Sequence, residues 1–464
     1  MPDDFHFLPL AEVARRIEAR QVSSVEATRA ILDRIAALDP KLKAYATVTA
    51  ERALKDAARL DGELASGKVR GALHGVPIAV KDLCNTEGVP TAAGMAIHRN
   101  NVPARDATVV RRLKEAGAVI LGKLQMTEGA FGTHHPSILA PLNPWNAAYW
   151  TGASSSGSGS ATAAGLCFGS LGSDTGGSIR FPCTMNGVTG LKPTWGRVSR
   201  AGVFALADSL DHIGPMTRDA RDAALLLAAI AGADPDDPTA SPQPVPDYVA
   251  GIGDGVRGKR IGVPMGLRDL DADARRVLDG AVAVFKGAGA ELVEANLPAA
   301  LEQGARDWVP LCAVETALAH EATYPSRASE YGPTLAAFID LGRRQSAVEY
   351  ARLESRRCVL TGELDTLLNS LDLLLMPVMG TAVWTIEGLD RAGRDPETVA
   401  ARLRYTAPFD LSGQPTLTLP GGMTVAGVPV GFQIVGPWFG EAAVLAAGHA
   451  YQQATDWHLK RPPL

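Results

Sequence analysis

The sequence predicts an α/β protein, because short apolar segments typical of buried strands alternate with segments of helical periodicity. The clearest unit begins near Leu73, where HGVPIAVKD indicates a buried strand that ends at Lys81, followed by a helical pattern and a second strand at 118–121. Further along, KRIGVP, a helical pattern through 277–285 and AELVE repeat the order strand, helix, strand. A chain of 464 residues can bury a substantial core.

The N-terminal part predicts two amphipathic helices within residues 9–38, because apolar residues recur at helical spacing on either side of Ser23. Ser23 and Glu26 fit a capping box at the start of the second helix, and Pro40 is expected to stop it. We expect both helices to contribute packing alone.

The middle of the chain continues the alternation. Asp106 is expected to open a helix that ends at Gly117, and after a Ser/Gly stretch the small residues from Ala161 start another helix. Residues 166–171 resemble a buried strand. Residues 232–258 are rich in Pro, Asp and Gly, which predicts an exposed connection between two halves.

The C-terminal part predicts helices over 300–365, then strands at LDLLLMPV, PTLTLP and VPVGFQIVG, and a closing helix over 441–457. The last of these apolar runs is continuous, which favours a central strand.

Composition excludes several classes of function. The net charge is −5 without a basic cluster, which argues against a nucleic-acid partner. The sequence shows neither a secretory leader nor an apolar run long enough to span a membrane, so we expect a cytoplasmic protein. The five cysteines form no C-x-x-C pair, which predicts reduced, mostly buried thiols rather than disulfides or a zinc site.

The chemistry concentrates between residues 150 and 194, where glycines and hydroxyl residues surround Ser154 and Ser178. Successive glycines allow backbone N–H groups to converge on an oxyanion, so a serine beside them is a candidate nucleophile. A P-loop, S-x-x-K, G-x-S-x-G and H-E-x-x-H are all absent from the sequence. This leaves a serine site that uses a lysine base, and the residues alone leave Lys81, Lys123 and Lys192 open for that role.

A set of longer motifs resembles the amidase signature family across nearly the whole chain, most weakly at 235–400. The motifs are GVPIAVKD, LGKLQMTEGAFG, GSDTGGSIRFP, NGVTGLKPTWGRVS, GPMTRD, LSGQPTLTLP and PVGFQIVG. The resemblance implies one large α/β/α domain over 1–464, with a central mixed sheet of many strands covered by helices on both faces. Within it we assign N-terminal helices to 1–65, a catalytic core to 66–220, a variable substrate-pocket region to 235–400, and C-terminal strands and a helix to 401–464.

The same resemblance implies that Lys81 is the base, Ser154 a bridging serine after a cis peptide bond, and Ser178 the nucleophile. It assigns the oxyanion hole to the backbone N–H groups of Thr175, Gly176, Gly177 and Ser178. It implies no cofactor and no metal. The chain departs from the family pattern at four positions: Gly129, where a phenylalanine is usual, and Thr151, Ala153 and Ser156 in the Ser/Gly loop.

Other polar residues in this region receive structural interpretations. We expect Ser155 to be a structural hydrogen-bonding residue, Ser156 and Ser158 to cap the following helix, and Asp174 and Arg180 to pair as scaffold. The candidate histidines, expected to be solvated, are His134, His135 and His212. The candidate substrate-contacting residues are Met126, Gly129, Ser155, Trp308, Tyr331 and Trp384.

These observations predict an amidase that hydrolyses a carboxylic amide through a Ser178 acyl-enzyme. We expect a stand-alone catabolic enzyme whose partner is a small-molecule amide, with related carbamates, ureas and esters as open substrate classes. One alternative is the glutaminase subunit of a tRNA-dependent amidotransferase. Another is a catalytically silent binding or scaffold protein of the same fold. A homodimer is expected from the frequency of such assemblies.

Overall fold

The computed structural model describes residues 4–393 and 395–464, and its strands all belong to one mixed sheet. In chain order the eleven strands of this described part are β1 Tyr45–Val48, β2 Pro77–Lys81, β3 Val119–Leu124, β4 Ser170–Asp174, β5 Thr189–Lys192, β6 His212–Thr217, β7 Arg260–Pro264, β8 Glu291–Ala295, β9 Leu373–Pro377, β10 Thr416–Met423 and β11 Pro429–Val435. Across the sheet their order is β1-β3-β2-β4-β6-β5-β10-β11-β9-β7-β8. Strand β2 is parallel to β3 and β4, and β7 to β8 and β9, while the other pairs are antiparallel.

The α-helices of the described residues are α1 Leu10–Glu18, α2 Ser24–Leu42, α3 Ala50–Ala65, α4 Thr108–Glu115, α5 Ser156–Ala163, α6 Arg180–Asn186, α7 Ala220–Ile230, α8 Ala272–Gly287, α9 Ala300–Ala319, α10 Pro333–Arg343, α11 Ala347–Leu368, α12 Ile386–Ala392, α13 Pro396–Leu403, α14 Ala407–Leu411 and α15 Glu441–Ala454. None of the helices in the described ranges combines the length and apolar character needed to cross a bilayer.

Helices cover both faces of the sheet, as predicted. Neighbouring residues of a strand point to opposite faces, and in the β5–β10 pair Leu191 opposes Leu417 while Gly190 opposes Thr418. The Gly190 face lies against α6, and the Leu417 face lies against Gly448 of α15. Helices α6 and α15 therefore sandwich the centre of the sheet.

The strand predictions are confirmed for most of the chain. Strands β2, β3, β7, β8, β9, β10 and β11 form where the apolar runs predict them, and β11 lies inside the sheet between β10 and β9. The predicted strand at 166–171 begins only at Ser170 and continues to Asp174, because Gly165 turns the chain at positive φ before it reaches the sheet.

Most helix predictions hold with shifted ends, but the helix predicted to start at Ala161 begins at Ser156 and ends at Ala163. The capping box of Ser23 and Glu26 is present, but Pro40 does not stop α2. The helix continues to the buried Leu42, and its C-cap residue Lys43 adopts the left-handed region. Asp106 does not open α4 as predicted, since the helix starts two residues later at Thr108. The Asp106 carboxylate instead accepts from the Lys114 ammonium.

The connection over 232–258 is only partly exposed. It contains no helix or regular strand, as its Pro, Asp and Gly content predicts. Three of its apolar residues, Tyr248, Ile252 and Val256, nevertheless pack into the main hydrophobic core. The high Pro, Asp and Gly content of the segment predicts a loop but does not show that these three side chains are buried.

Candidate active site

The site lies at the edge of the sheet where two parallel strands end. Lys81 is the last residue of β2, and Ser173 is the penultimate residue of the adjacent parallel strand β4. Parallel strands end at the same edge of a sheet, so the two side chains meet there. The distance from Lys81 Nζ to Ser173 Oγ is 2.8 Å, and both side chains are buried.

Two further serines complete the surroundings of this lysine. Lys81 Nζ lies 2.7 Å from Ser154 Oγ and 2.9 Å from Ser155 Oγ. The peptide bond between Ala153 and Ser154 is cis. The Ser155 hydroxyl also donates to the Ser173 carbonyl at 3.1 Å, which joins the Ser/Gly loop to β4. Three hydroxyl groups therefore converge on one amine, and Ser155 is part of this cluster.

Burial changes the protonation of Lys81. Removal from water lowers its pKa from 10.5 to about 7, because the charged ammonium loses its hydration and the carboxylates of Asp174 and Asp211 compensate only in part. A substantial share of Lys81 is thus a neutral amine near pH 7 and can accept a proton.

The two other candidate lysines are buried but face different partners. Lys123 Nζ donates to the Cys84 carbonyl at 2.6 Å and to Thr91 Oγ1 at 2.7 Å. Lys192 has a pKa lowered by burial to about 7, like Lys81, but its Nζ lies beside His212 Nε2 at 3.1 Å. Contact with serine hydroxyls, rather than pKa, therefore distinguishes Lys81.

The loop that carries Ser178 is held by a buried carboxylate. Asp174, the last residue of β4, accepts hydrogen bonds from the N–H groups of Gly177 at 2.6 Å and Ile179 at 2.9 Å. Its carboxylate also receives the Arg180 guanidinium at 2.8 Å, so these two residues pair as predicted. Burial by itself would raise the Asp174 pKa, but Arg180 and the N–H donors outweigh burial and hold it well below its usual range.

This arrangement changes the predicted oxyanion hole at one position. The Gly177 N–H donates to Asp174 and is not free to bind an oxyanion. Within the described residues, the N–H groups of Thr175, Gly176 and Ser178 make no hydrogen bond. Two residues outside this loop hold Thr175 in place: its hydroxyl donates to Asp211 at 2.6 Å, and its carbonyl accepts from the Trp308 indole at 2.7 Å.

A buried network of charged and polar side chains extends from Arg180, next to the loop that carries Ser178. Arg180 also donates to Asp410 of α14, and His212 Nδ1 lies 3.7 Å from the same carboxyl. His212 is buried, so the expectation of a solvated histidine is wrong for this residue. Burial and then the neighbouring Lys192 lower the His212 pKa well below its usual value. His134 is half-buried and lies 3.0 Å from Ser156 Oγ.

The serines assigned to helix capping have other partners. The Ser158 hydroxyl donates to the Leu171 carbonyl of β4 at 3.0 Å, and Ser156 faces His134. Both lie inside α5, whose N-cap residue Ser155 makes no side-chain cap bond. The capping prediction is wrong because these hydroxyls attach the helix to neighbouring segments instead.

A cavity of about 560 Å³ opens above the serines, and both Ser154 and Ser178 line it. We call Lys81, Ser154, Ser155, Ser173, Asp174 and Ser178 the catalytic floor. We call the aromatic rings that line the same cavity the aromatic wall: Phe131, Trp150, Phe181, Trp308 and Phe338. Phe131 and Phe338 stack with their ring centroids 3.7 Å apart, and Trp308 stacks on Phe338 at 6.4 Å.

The predicted substrate-contacting residues divide into two groups. Trp308 lines the cavity, as expected, while Met126, Gly129, Ser155, Tyr331 and Trp384 do not contribute to its wall in the described ranges. Tyr331 instead packs with Tyr324 in a separate small cluster, and its hydroxyl lies 3.1 Å from His320 Nδ1. Gly129 adopts φ 54°, a conformation that the usual phenylalanine would adopt only with strain, and a Cβ there would meet the Leu335 side chain at 2.8 Å.

Three residues of this region, Phe131, Phe338 and Glu128, received no functional role from the sequence, although Glu128 and Phe131 lie within the motif LGKLQMTEGAFG. Glu128 is buried, and its carboxylate accepts from the Gly332 N–H at 2.9 and 3.0 Å, which ties the loop before Phe131 to the start of α10. Burial raises the pKa of Glu128 to about 7, and the Gly332 bond opposes that shift. The partners are 204 residues apart in the chain, and no local pattern reveals such a contact.

Comparison with known proteins gives consistent matches over most of the chain. The family profile described as "Amidase" matches residues 26–445. A protein named "Putative amidase AmiD" from Mycobacterium tuberculosis (strain ATCC 25618 / H37Rv) is 52% identical over 458 residues, covering 98% of this chain and 96% of that protein.

Two further relatives represent different activities. A glutamyl-tRNA(Gln) amidotransferase subunit from Geobacter sp. (strain M21) is 40% identical over 487 residues and covers 98% of this chain and 99% of that protein. The solved structure of native peptide amidase from Stenotrophomonas maltophilia is 31% identical, with a TM-score of 0.84 and 98% of both chains covered. The chain is thus similar to amidases and to amidotransferase subunits.

Proposed function

The chain belongs to the amidase family, the amidase signature enzymes, and on that premise we propose that it is a stand-alone hydrolase of amides that carry a bulky apolar or aryl group. The observation that carries this proposal is the position of Lys81 Nζ, within 2.9 Å of three serine hydroxyls beneath an aromatic cavity. Family membership supports amide hydrolysis. The catalytic roles and the substrate class are our inference.

The reaction would start with proton transfer towards Lys81. Neutral Lys81 takes the proton of Ser154, Ser154 takes the proton of Ser178, and Ser178 Oγ attacks the amide carbonyl carbon. Ser155 and Ser173 fit a supporting role, because their oxygens can accept the two N–H bonds of the neutral amine. The amine lone pair is then left for the Ser154 hydroxyl, the one cluster member that also lines the cavity.

The tetrahedral oxyanion would bind at the free N–H groups of the nucleophile loop. The candidates are Thr175, Gly176 and Ser178, and the outward bonds of Thr175 hold this part of the loop in place. Collapse of the intermediate breaks the C–N bond, Ser154 gives its proton to the departing amine, and the Lys81 ammonium reprotonates Ser154, which leaves Lys81 neutral again. Water then attacks the Ser178 ester, releases the carboxylic acid and restores the enzyme.

The lining of the cavity supports an apolar or aryl substrate. Stacked rings offer flat apolar surfaces that suit an aromatic or long aliphatic group. Among the described residues, no Asp or Glu lines the cavity. The α-ammonium group of free glutamine would have no carboxylate partner there, and an unpaired charge is costly to transfer from water.

Glutaminase activity within an amidotransferase remains the second candidate, because the chain is 40% identical to such a protein over nearly its full length. A glutaminase of that kind would depend on partner chains to use the ammonia. The 52% identity to an amidase-named protein favours the stand-alone enzyme. A cytoplasmic location, a homodimer and activity on carbamates, ureas or esters remain predictions.

The test is hydrolysis by the purified chain alone of a panel that contains aliphatic amides, glutamine, aryl anilides, an aryl carbamate and a urea. We expect turnover of anilides, and a loss of about 10⁴-fold or more in Ser178→Ala. Ser370→Ala, which changes an exposed serine after α11, is the control and should keep wild-type activity. Hydrolysis of glutamine only would favour the amidotransferase role, and silence on every substrate would favour a binding or scaffold protein.

A further inference from the structure

One residue that lines the cavity is an exposed arginine. Arg344 follows directly after α10, is exposed, and lines the same cavity as Ser178. In the part of the chain that the structure describes, its guanidinium has no carboxylate within 4 Å. Most arginines of the neighbouring helices are paired; Arg356, for example, binds Asp307 at 2.6 Å.

The position of Arg344 follows from the face of α10 that borders the cavity. Thr334, Phe338 and Leu341 line the cavity at helical spacing, and Arg344 continues the same row. A helix rises about 1.5 Å per residue, so the Arg344 backbone lies about 9 Å beyond Phe338 along the axis. Phe338 stacks on Trp308, whose indole touches the nucleophile loop, and Arg344 therefore marks the solvent end of the row.

Charge within the cavity is of one sign. The only ionisable lining side chains in the described ranges are Arg344 and Arg402, and Arg402 Nη1 also donates to the Gly393 carbonyl at 3.2 Å. An anionic group at this end would meet a guanidinium able to bind a carboxylate with two parallel hydrogen bonds. A neutral group would leave that capacity unused.

We propose that the substrate is an amide with an apolar middle and an anionic group, such as a carboxylate, at the end remote from the scissile bond, and that Arg344 selects it. This inference deepens the proposed amidase function and rests on it. The aromatic wall binds the apolar middle, and Arg344 binds the anion at the cavity mouth.

The experiment uses two series of 4-nitroanilides. The first contains mono-anilides of dicarboxylic acids from succinic to suberic acid, each paired with the fatty acyl anilide of equal length. The second places the carboxylate on the anilide ring, paired with its methyl ester. Wild-type enzyme, Arg344→Met and Arg343→Met are compared. Arg343 is the matched control, because its guanidinium lies 6.0 Å from the Tyr324 ring outside the cavity.

We expect wild-type kcat/KM to favour the carboxylate in at least one series, and Arg344→Met to lower that preference roughly threefold to tenfold. Arg343→Met should keep the preference. Salt should weaken the preference of the wild type but not of Arg344→Met, because a mouth-exposed ion pair is screened. Absence of a carboxylate preference in both series, or an unchanged preference in Arg344→Met, would overturn the proposal.

Binding to Ser178→Ala separates this proposal from the proposed function. Calorimetry with the same anilides measures the charge preference without turnover. Tighter binding of the carboxylates that is lost on adding Arg344→Met supports selection by Arg344 even if the chemistry is assigned wrongly. Equal binding of charged and neutral anilides would refute it even if the enzyme is an amidase.

Discussion

The catalytic floor and the aromatic wall are held in place by different forces. The floor consists of polar groups removed from water and joined by hydrogen bonds, such as those between Lys81, Ser155 and Ser173. The wall consists of rings that pack on one another, such as Phe131 and Phe338. Hydrogen bonds have strict geometry whereas apolar packing tolerates changes of shape, so the floor should determine reaction rate and the wall should determine which substrate is accepted.

The largest expected effect on kcat comes from replacing a buried lysine of the floor by methionine, and the same replacement of a second buried lysine outside the floor is the comparison. Lys81→Met should lower kcat by about 10³-fold or more at pH 7, since the serine relay loses its base. Lys192 has a pKa lowered to about 7 as well, but among the described residues it contacts His212 and no serine hydroxyl. Lys192→Met should therefore act on thermal stability more than on kcat. A loss of activity equal to that of Lys81→Met would show that the floor is assigned to the wrong lysine.

The next effect concerns the carboxylate beneath the nucleophile loop. Asp174→Asn should lower kcat by about 10²-fold with little change in KM, because the loop that presents Ser178 loses a charged acceptor. Asp219→Asn is the control: it makes the same change at the N-cap of α7, where asparagine also caps well. A rise in KM with kcat unchanged would contradict the positioning role of Asp174.

The pH dependence of kcat/KM should reflect the titration of a residue of the catalytic floor and not of a residue beside the aromatic wall. Lys81 has to be neutral to accept a proton, and its pKa is lowered to about 7. We expect kcat/KM to rise with pH up to about 7 and to fall about tenfold per unit below it. Glu128, which supports the wall, also has a pKa of about 7. Glu128→Gln should keep the fall in kcat/KM below pH 7. If this variant lost that fall, the titrating group would be Glu128 and not Lys81.

The smallest expected effect belongs to the wall. Phe338→Ala should reduce kcat/KM for aryl anilides roughly tenfold and for acetamide by less than threefold, since a small amide does not reach the stacked rings. The control variant Phe439→Ala removes an aromatic ring remote from the cavity, beside Arg197. Equal losses for anilides and acetamide would mean that the wall supports folding rather than substrate choice.

The same contrast explains what could be predicted from the sequence. The fold class and most strands follow from local apolar runs, and the floor residues lie within a few short motifs whose glycines and serines have few other uses. The Lys81 assignment needed the family resemblance, since periodicity does not separate it from Lys192. The wall joins Phe131 to Phe338, and beside it Gly332 donates to Glu128; such contacts between distant segments depend on how helices pack.

The errors have related physical causes. His212 looked like a loop histidine, but it lies on β6 and its ring is buried beside Lys192. Gly177 was expected to serve the oxyanion hole, but the neighbouring Asp174 takes its N–H. In both cases a buried partner decides the role of the residue, and the identity of that partner is fixed only in three dimensions.

The most direct test of the central claim is covalent labelling with an alkyl fluorophosphonate, followed by peptide mapping. We predict one adduct, on Ser178, in the wild-type protein, a much slower adduct on the same serine in Lys81→Met, and none in Ser178→Ala. An adduct on Ser154 or Ser155, or unchanged labelling of Ser178→Ala, would contradict Ser178 as the nucleophile.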